Sequence, residues 1–423
     1  VSPGGHSLSA VRKTITVVLP ARMTAPPGWE KGPLPFRYRD RVADRTTRKT
    51  YFATPTARVL YGEPERSCRW HRTIDITQSD LTAQGVELLH TPLGEDRQRA
   101  LAILHLTAND LNGRGFHDVL RALAHRPDAP PSPLTGRLEP TALLPANTSL
   151  VPRAQAFTVA FLTPQDERLP RLYPARQRTW PSADQWLWAL ASRTNATDYP
   201  PDPATIPGLT ENALRLSADW SALVLRDGAA FIGCRPDRGP HDPFLGFAEL
   251  HARTVYLDAL LLGMIQRDHI NQLTEILSRV FDRGHLARNV AGLEQHIARF
   301  RSTYWRQHLT RHGPANDLLL AYQSQHSLQR QFDEILAEAT DYARLVQNQE
   351  SQQINGALGI LTILGLPLGT ALGAQQVLGD TSPWHLLAYL GGALAATGAL
   401  LTTRYGRLVL RALRGQPRDH RRE

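Results

Sequence analysis

Two stretches near the C-terminus, Gly356 to Leu378 and Trp384 to Leu401, contain no Asp, Glu, Lys or Arg, and only Gly379, Asp380, Thr381, Ser382 and Pro383 separate them. Each has the length of a helix that crosses, or nearly crosses, a hydrocarbon core of roughly 30 Å at about 1.5 Å per residue. So short a connection cannot recross a bilayer, and the pair is expected to form a transmembrane hairpin with both outer ends in one compartment. Arg404, Arg407, Arg411, Arg414, Arg418, Arg421 and Arg422 follow the second stretch, and basic flanks stay on the cytoplasmic side. The expectation is a multi-pass protein of the inner (plasma) membrane, N- and C-termini cytoplasmic, in contact with membrane lipid. The other reading of the same residues is a buried helical hairpin inside a soluble core.

Of the basic residues only Lys13, Lys31 and Lys49 are lysine. Such an arginine bias more often reflects a GC-rich genome than phosphate chemistry. The formal net charge is +9, and much of the excess sits in the tail. It therefore points to anionic lipid, and no nucleic-acid partner is expected. Cys68 and Cys234 are the only cysteines; they suit a reducing compartment and read as ordinary core thiols. No leader is legible, because Val11 to Leu19 alternates like a strand, while Val at position 1 suggests an altered or missing start.

The expected fold class is an α+β cytoplasmic domain followed by long helices and the two-helix C-terminal transmembrane hairpin. Residues 1–125 form an N-terminal α/β region, with strands at Val11 to Leu19, Lys49 to Tyr61, Arg69 to Thr77 and Ala100 to Thr107 and a helix at Asn109 to His125. Residues 126–145 are a Pro-rich linker. Residues 146–242 are a second α/β piece, with a strand at Ala156 to Leu162, a helix at Ser182 to Arg193 and a hairpin around Asp227-Gly228. The two pieces are compatible with one sheet. Residues 243–353 read as long helices, Phe244 to Phe281, Leu286 to His312 and a third from near Asn316. In the third, Leu318, Ala321, Leu328, Phe332, Ile335, Ala339, Tyr342 and Val346 form a coiled-coil-like seam. No Pro or Gly interrupts Asp317 to Asn355, so this helix is expected to continue as a stalk into residues 354–402, the hairpin, with 403–423 as the basic cytoplasmic tail.

Asn355, Leu361-Thr362-Ile363, Pro367-Leu368 and Gly373 resemble the Asn, Leu-Thr-Ile, Pro-Leu and Ala-Gly series on the pore helix of the CorA family of divalent-cation transporters. The architecture around them is similar to that family as well. The chain looks like a divergent member of the CorA-like superfamily, because Gln376-Val377-Leu378 stands where the family has its Gly-Met-Asn signature, and the segment before the proline is about one helical turn shorter. The resemblance implies a homopentamer, a first span lining a pore, and Mg2+ or another divalent cation as transported or regulatory ion.

A magnesium path uses amide and carbonyl oxygens, because the ion sheds water reluctantly. On that logic Asn355 supplies an amide at the cytoplasmic end, Leu358 and Leu361 form apolar gating rings with Thr362 beside them, and Gln375, Gln376 and Asp380 are oxygen donors at the outer mouth. The bland alternative makes these solvated interface residues. Gly365, Gly369 and Gly373 recur every four residues and read as helix-packing positions, with a glycine-lined pore wall as the sharper alternative.

No enzyme is expected: the sequence has no Gly-rich phosphate loop, no Cys-x-x-Cys pair and no Gly-x-Ser-x-Gly elbow. His308 and His312 have zinc-ligand spacing, but Leu309 stands where a His-Glu-x-x-His site needs its Glu. Two function classes stay open. One is a CorA-like homo-oligomeric ion channel or transporter gated by its cytoplasmic domain; the other is a membrane-anchored sensor or effector of a bacterial stress or defence system, with a cytoplasmic protein partner and the hairpin as anchor or regulated leak.

Overall fold

A computed structural model of the protein describes residues 9–63, 65–92, 96–124, 134–167, 169–172, 180–194, 199–281, 286–305, 309–310, 313–378 and 383–402. The chain divides into two compact units, one of Val1–Ser278 with Glu294–Ile335, the other of Arg279–Leu293 with Leu336–Glu423.

The first unit is organised by a 10-stranded sheet. Its strands are β1 (Ala10–Met23), β2 (Glu30–Lys31), β5 (Arg69–Gln78), β6 (Leu81–His90), β7 (Arg99–Ala108), β8 (Thr148–Leu150), β9 (Phe157–Pro164), β10 (Leu214–Ser217), β11 (Trp220–Val224) and β12 (Gly228–Gly233), while β3 (Phe36–Tyr38) and β4 (Arg41–Ala43) make a separate ribbon. The spatial order is β10-β11-β12-β9-β1-β7-β6-β5-β2, with β8 paired to β1. Strand β9 joins the two α/β pieces into one sheet, antiparallel to β1 and parallel to β12.

Period-two alternation gives the central strands two different faces. Ile15, Val17 and Leu19 of β1, with Val86, Leu88, Ala102, Leu104, Ala160 and Ile232, belong to one apolar core. That core also takes Phe116 and Leu120 of α3 (Gly113–Ala124) and Trp186, Leu187 and Leu190 of α5 (Ser182–Ser192). The other face carries Thr16, Glu87 and His105, all buried. Here α7 (Pro243–Arg253), α8 (Val255–Ser278) and α10 (Gly313–Gln325) cover the sheet. Tyr256 of α8 stacks on Trp220 and Phe231, and Tyr322 of α10 meets Phe157 edge to face.

Three differences from the sequence expectation concern local structure. The segment read as a strand at Lys49 to Tyr61 is two helices, α1 (Arg45–Tyr51) and α2 (Thr54–Tyr61). Asp44 and Thr47 close a reciprocal capping box that starts the first, Pro55 opens the second, and Gly62 at φ 68° ends it. These end signals outweigh the β-favouring Thr, Tyr and Val content. The helix expected from Phe244 to Phe281 breaks at Thr254, between α7 and α8. The expected continuous third helix likewise breaks, at His326 and Ser327, into α10 and α11 (Leu328–Leu378); Ser327 has φ 52°. A left-handed residue ends an α-helix even without Gly or Pro.

The expected transmembrane hairpin is corrected. Among the described residues, no helix is long and apolar enough to cross a membrane. Freedom from formal charge is not apolarity: along α11 the described side chains from Asn355 to Val377 include Asn355, Gly365, Gly369, Thr370, Gly373 and Gln376 beside Leu358, Pro367, Leu368, Ala371, Leu372 and Val377. Each amide or hydroxyl adds a desolvation cost, and glycine contributes almost no apolar area. The membrane part of the fold class, the inner-membrane location and the lipid-spanning reading are corrected with it. The ion path implied by the resemblance was to run through that hairpin and has no support here. Residues 379–382 and 403–423, which hold Asp380 and the basic tail, lie outside the described residues, as do His308 and His312.

Candidate functional site

Asp380 apart, the residues singled out on sequence lie along the C-terminal half of α11. Asn355 and Gln376 are exposed, Leu358 is 55% exposed, and an added Cβ at Gly365, Gly369 or Gly373 would meet no atom within 4 Å. Leu361, Thr362 and Gln375 are on the same helix, with side chains outside the description. One helix carries all of these. Among the described residues, no group of three or more His, Cys, Asp or Glu side chains could hold a metal ion.

Exposed large apolar residues concentrate here. Ile354, Leu358, Leu368 and Leu372 of α11, and Trp384, Leu387 and Leu394 of α12 (Pro383–Thr402), are all exposed. With Leu361 and Gly365 between them, the α11 positions alternate by four and three residues, the spacing of a coiled-coil seam. The seam predicted further upstream is occupied within the chain: Leu318, Leu328, Phe332, Ile335 and Ala339 are buried, and the Phe332 ring lies 5.0 Å from that of Phe300.

Sequence reasoning missed the strongest electrostatic feature, a buried charge network beneath α8. Arg69 of β5 donates through Nε to Glu87 of β6 at 2.5 Å and pairs with Asp258 of α8 at 2.6 Å. Asp258 also accepts from the Tyr61 hydroxyl at 2.7 Å and faces Arg48 at 3.4 Å. Glu87 accepts from His105 Nε2 at 2.7 Å, and His105 Nδ1 lies 3.3 Å from Thr16 Oγ1. The side chains of Arg48, Arg69, Glu87, His105 and Asp258 are all 0% exposed. Against the cost of burial, Arg69 and the His105 hydrogen bond hold the Glu87 carboxyl well below the usual range. Burial pushes His105 down to about 4, opposed by Glu87. A neutral ring that donates to Glu87 through Nε2 leaves Nδ1 as the acceptor for the Thr16 hydroxyl. The order hydroxyl, imidazole, carboxylate is that of an activated nucleophile, but every member is buried beneath helices, and the arrangement acts as a lock between sheet and helices.

Access to solvent exists elsewhere in this unit. A cavity of about 490 Å3 opens beside the α10–α11 break, bounded by Phe157, Met264, Arg267, Tyr322 and His326 and by the β11–β12 turn at Arg226 and Asp227. Arg226 donates from Nε to the Gln325 carbonyl at 3.3 Å, fastening the turn to the end of α10. The two cysteines bring no chemistry to it: the Cys68 thiol donates to the Val59 carbonyl at 3.3 Å and burial pushes it up to about 12, while burial also raises Cys234. No protein-family model, no curated protein and no solved structure matches the chain.

Proposed function

We propose that the protein is a homo-oligomeric sensor, in which a small-molecule cavity in the α/β unit acts through α11 on self-association of the C-terminal helices. The observation that carries this reading is α11 itself. It starts two residues after cavity-lining His326, runs 51 residues without interruption, and leaves Ile354, Leu358, Leu368 and Leu372 uncovered.

Exposed leucine is costly at about 25 cal/mol per Å2 of apolar surface, and association recovers that cost. A second copy of the chain is the occupant this row fits. A four-three seam is complementary to itself, because its side chains enter the holes of an identical neighbouring helix. Between Ile354 and Leu378 there is no formal charge to repel a second copy. The open space at Gly365, Gly369 and Gly373 leaves room for a neighbouring backbone.

Sedimentation equilibrium on the full chain tests the reading. A multimer that Leu358→Asp with Leu372→Asp converts to monomer, with the far-UV spectrum preserved, is the expected result. A wild-type monomer throughout dilution contradicts it.

A further inference from the structure

The cavity beside the α10–α11 break is polar in a particular way. Asp268 on its wall pairs with Arg99 at 3.2 Å, and the Asp227 carboxylate sits in the field of buried Arg193. Neither Arg226 nor Arg267 pairs with a carboxylate within salt-bridge distance among the described residues; Arg226 holds the Gln325 carbonyl, and Arg267 hydrogen-bonds Tyr322. Both arginines are exposed at the cavity rim. His326 stands behind them with Nε2 buried and without a hydrogen-bond partner. A buried polar atom left unpaired costs free energy unless a ligand or water meets it.

Apart from Gln155, the remaining wall is apolar or aromatic and includes Val18, Leu101, Phe157, Met264 and the Tyr322 ring, which lies 4.5 Å from the His326 ring. At about 490 Å3 the volume falls in the usual range of small-molecule sites.

We infer that this cavity binds a phosphate monoester with a flat apolar body, up to about the size of a mononucleotide, its phosphate held by Arg226, Arg267 and His326 Nε2 and its body against Tyr322 and Phe157. Three donors arrive from three elements, the β11–β12 turn, α8 and the end of α10. A tetrahedral dianion can use all three, whereas a carboxylate is satisfied by one guanidinium fork. Among the described residues neither Arg226 nor Arg267 has an ion pair, and with Asp268 held by Arg99 only Asp227 offsets their charge before a ligand arrives. The inference deepens the sensor reading and rests on it only for the consequence of binding; the site stands on its own geometry.

The imidazole should report the phosphate. Burial, then the fields of Arg267 and Arg226, pushes His326 down to about 4, opposed by Asp227 and a hydrogen bond to the Arg226 backbone. Tyr322 and Asp268 are the other titratable groups on the wall. A bound dianion reverses the local field, raises the imidazole and draws in a proton, so affinity increases as pH falls from about 8 toward about 6, and levels off below that, where the free monoester itself takes its second proton.

Calorimetry on the full chain uses phenyl phosphate and adenosine 5′-monophosphate, with inorganic phosphate, adenosine and benzoate as comparisons. Saturable binding of at least one monoester, tighter than inorganic phosphate or benzoate, is expected, with proton uptake seen as a dependence of the heat on buffer ionisation enthalpy. Arg226→Glu, at an exposed turn, should weaken binding by about tenfold or more, with the chain still folded and its far-UV spectrum preserved despite the lost bond to Gln325. His326→Gln should remove the proton uptake while keeping part of the affinity. No binding by either monoester, equal binding of benzoate, or affinity indifferent to Arg226→Glu overturns the site. Sedimentation of the same samples separates the two proposals. Monoester binding by a chain that is monomeric with and without ligand overturns the oligomeric sensor and leaves the phosphate site; an oligomer that binds no monoester does the reverse.

Discussion

The two units place charge and apolar surface in opposite ways. In the first, Arg48, Arg69, Glu87 and Asp258 lie at 0% side-chain exposure under α8. In the second, Leu358, Leu368 and Leu372 of α11 stand more than half exposed. A buried ion pair costs several kcal/mol per ion in desolvation, and exposed leucines forgo burial they could have. Inside the first unit the charges are tolerated because each meets a partner and the Tyr61 and His105 hydrogen bonds add to the pairing, with Arg69 Nη2 left unpaired. In the second unit these leucines stand exposed among the described residues, and the self-association proposed above is what would cover them.

The largest effect expected from breaking this contrast is in the lock. Arg69→Leu leaves Glu87 and Asp258 buried without their shared cation and should cost about 3–5 kcal/mol in denaturant unfolding. A loss below about 1 kcal/mol would show that water or rearrangement relieves the carboxylates.

Acid should come next. His105 is held near 4 in the folded chain against about 6.5 unfolded. Between those values the unfolded chain takes the proton and the folded one does not, so stability is full above about pH 6.5 and falls as pH drops toward 4. The groups facing the ring are Thr16 on β1, Glu87 on β6, Arg48 on α1 and Arg253 on α7. Glu87, depressed by Arg69 and His105, adds a further loss below about pH 4.5. The decline attributable to His105 should amount to about 3 kcal/mol, and His105→Gln should flatten its upper part. A flat stability profile from pH 7 to about 5 would contradict this assignment.

Smaller still is the expected effect of the surface row on unfolding. Leu372→Asp should leave the melting of the α/β unit within about 0.5 kcal/mol while lowering the assembly mass. Smallest is the exposed pair Arg330–Glu334 on α11, 3.8 Å apart with side chains 75% and 65% exposed. Glu334→Ala should change stability by less than about 0.5 kcal/mol, and a double-mutant cycle that finds more would break the contrast between the buried charge pairs under α8 and this exposed one.

Much of the sheet was legible because its strands alternate. Val11 to Leu19, Arg69 to Thr77 and Ala100 to Thr107 fall within β1, β5 and β7, and Asp227-Gly228 joins β11 to β12. Strand β6 was not, since Gln84, Gly85 and Glu87 blur its pattern. The two helix breaks were invisible because Thr254 and Ser327 are ordinary residues in unusual backbone positions. The charge network could not be read from spacing at all. Only the sheet register sets His105 across from Gly85 and Thr16, and His71 across from Glu87, so that Glu87 falls diagonally between Arg69 and His105. A hint existed in the charged or polar inward positions of otherwise apolar strands, Glu87 and His105. On α11 the sequence reading treated missing charge as lipid affinity, when the glycines, amides and hydroxyls along the same helix carry the contrary signal.

The central claim is that α11 carries self-association. Sedimentation equilibrium of the intact chain over a wide dilution range tests it most directly. The account predicts a mass that is a multiple of the single chain and falls to one chain in the Leu358→Asp, Leu372→Asp variant. A wild-type mass of one chain at every concentration, or an assembly indifferent to both substitutions, would contradict it.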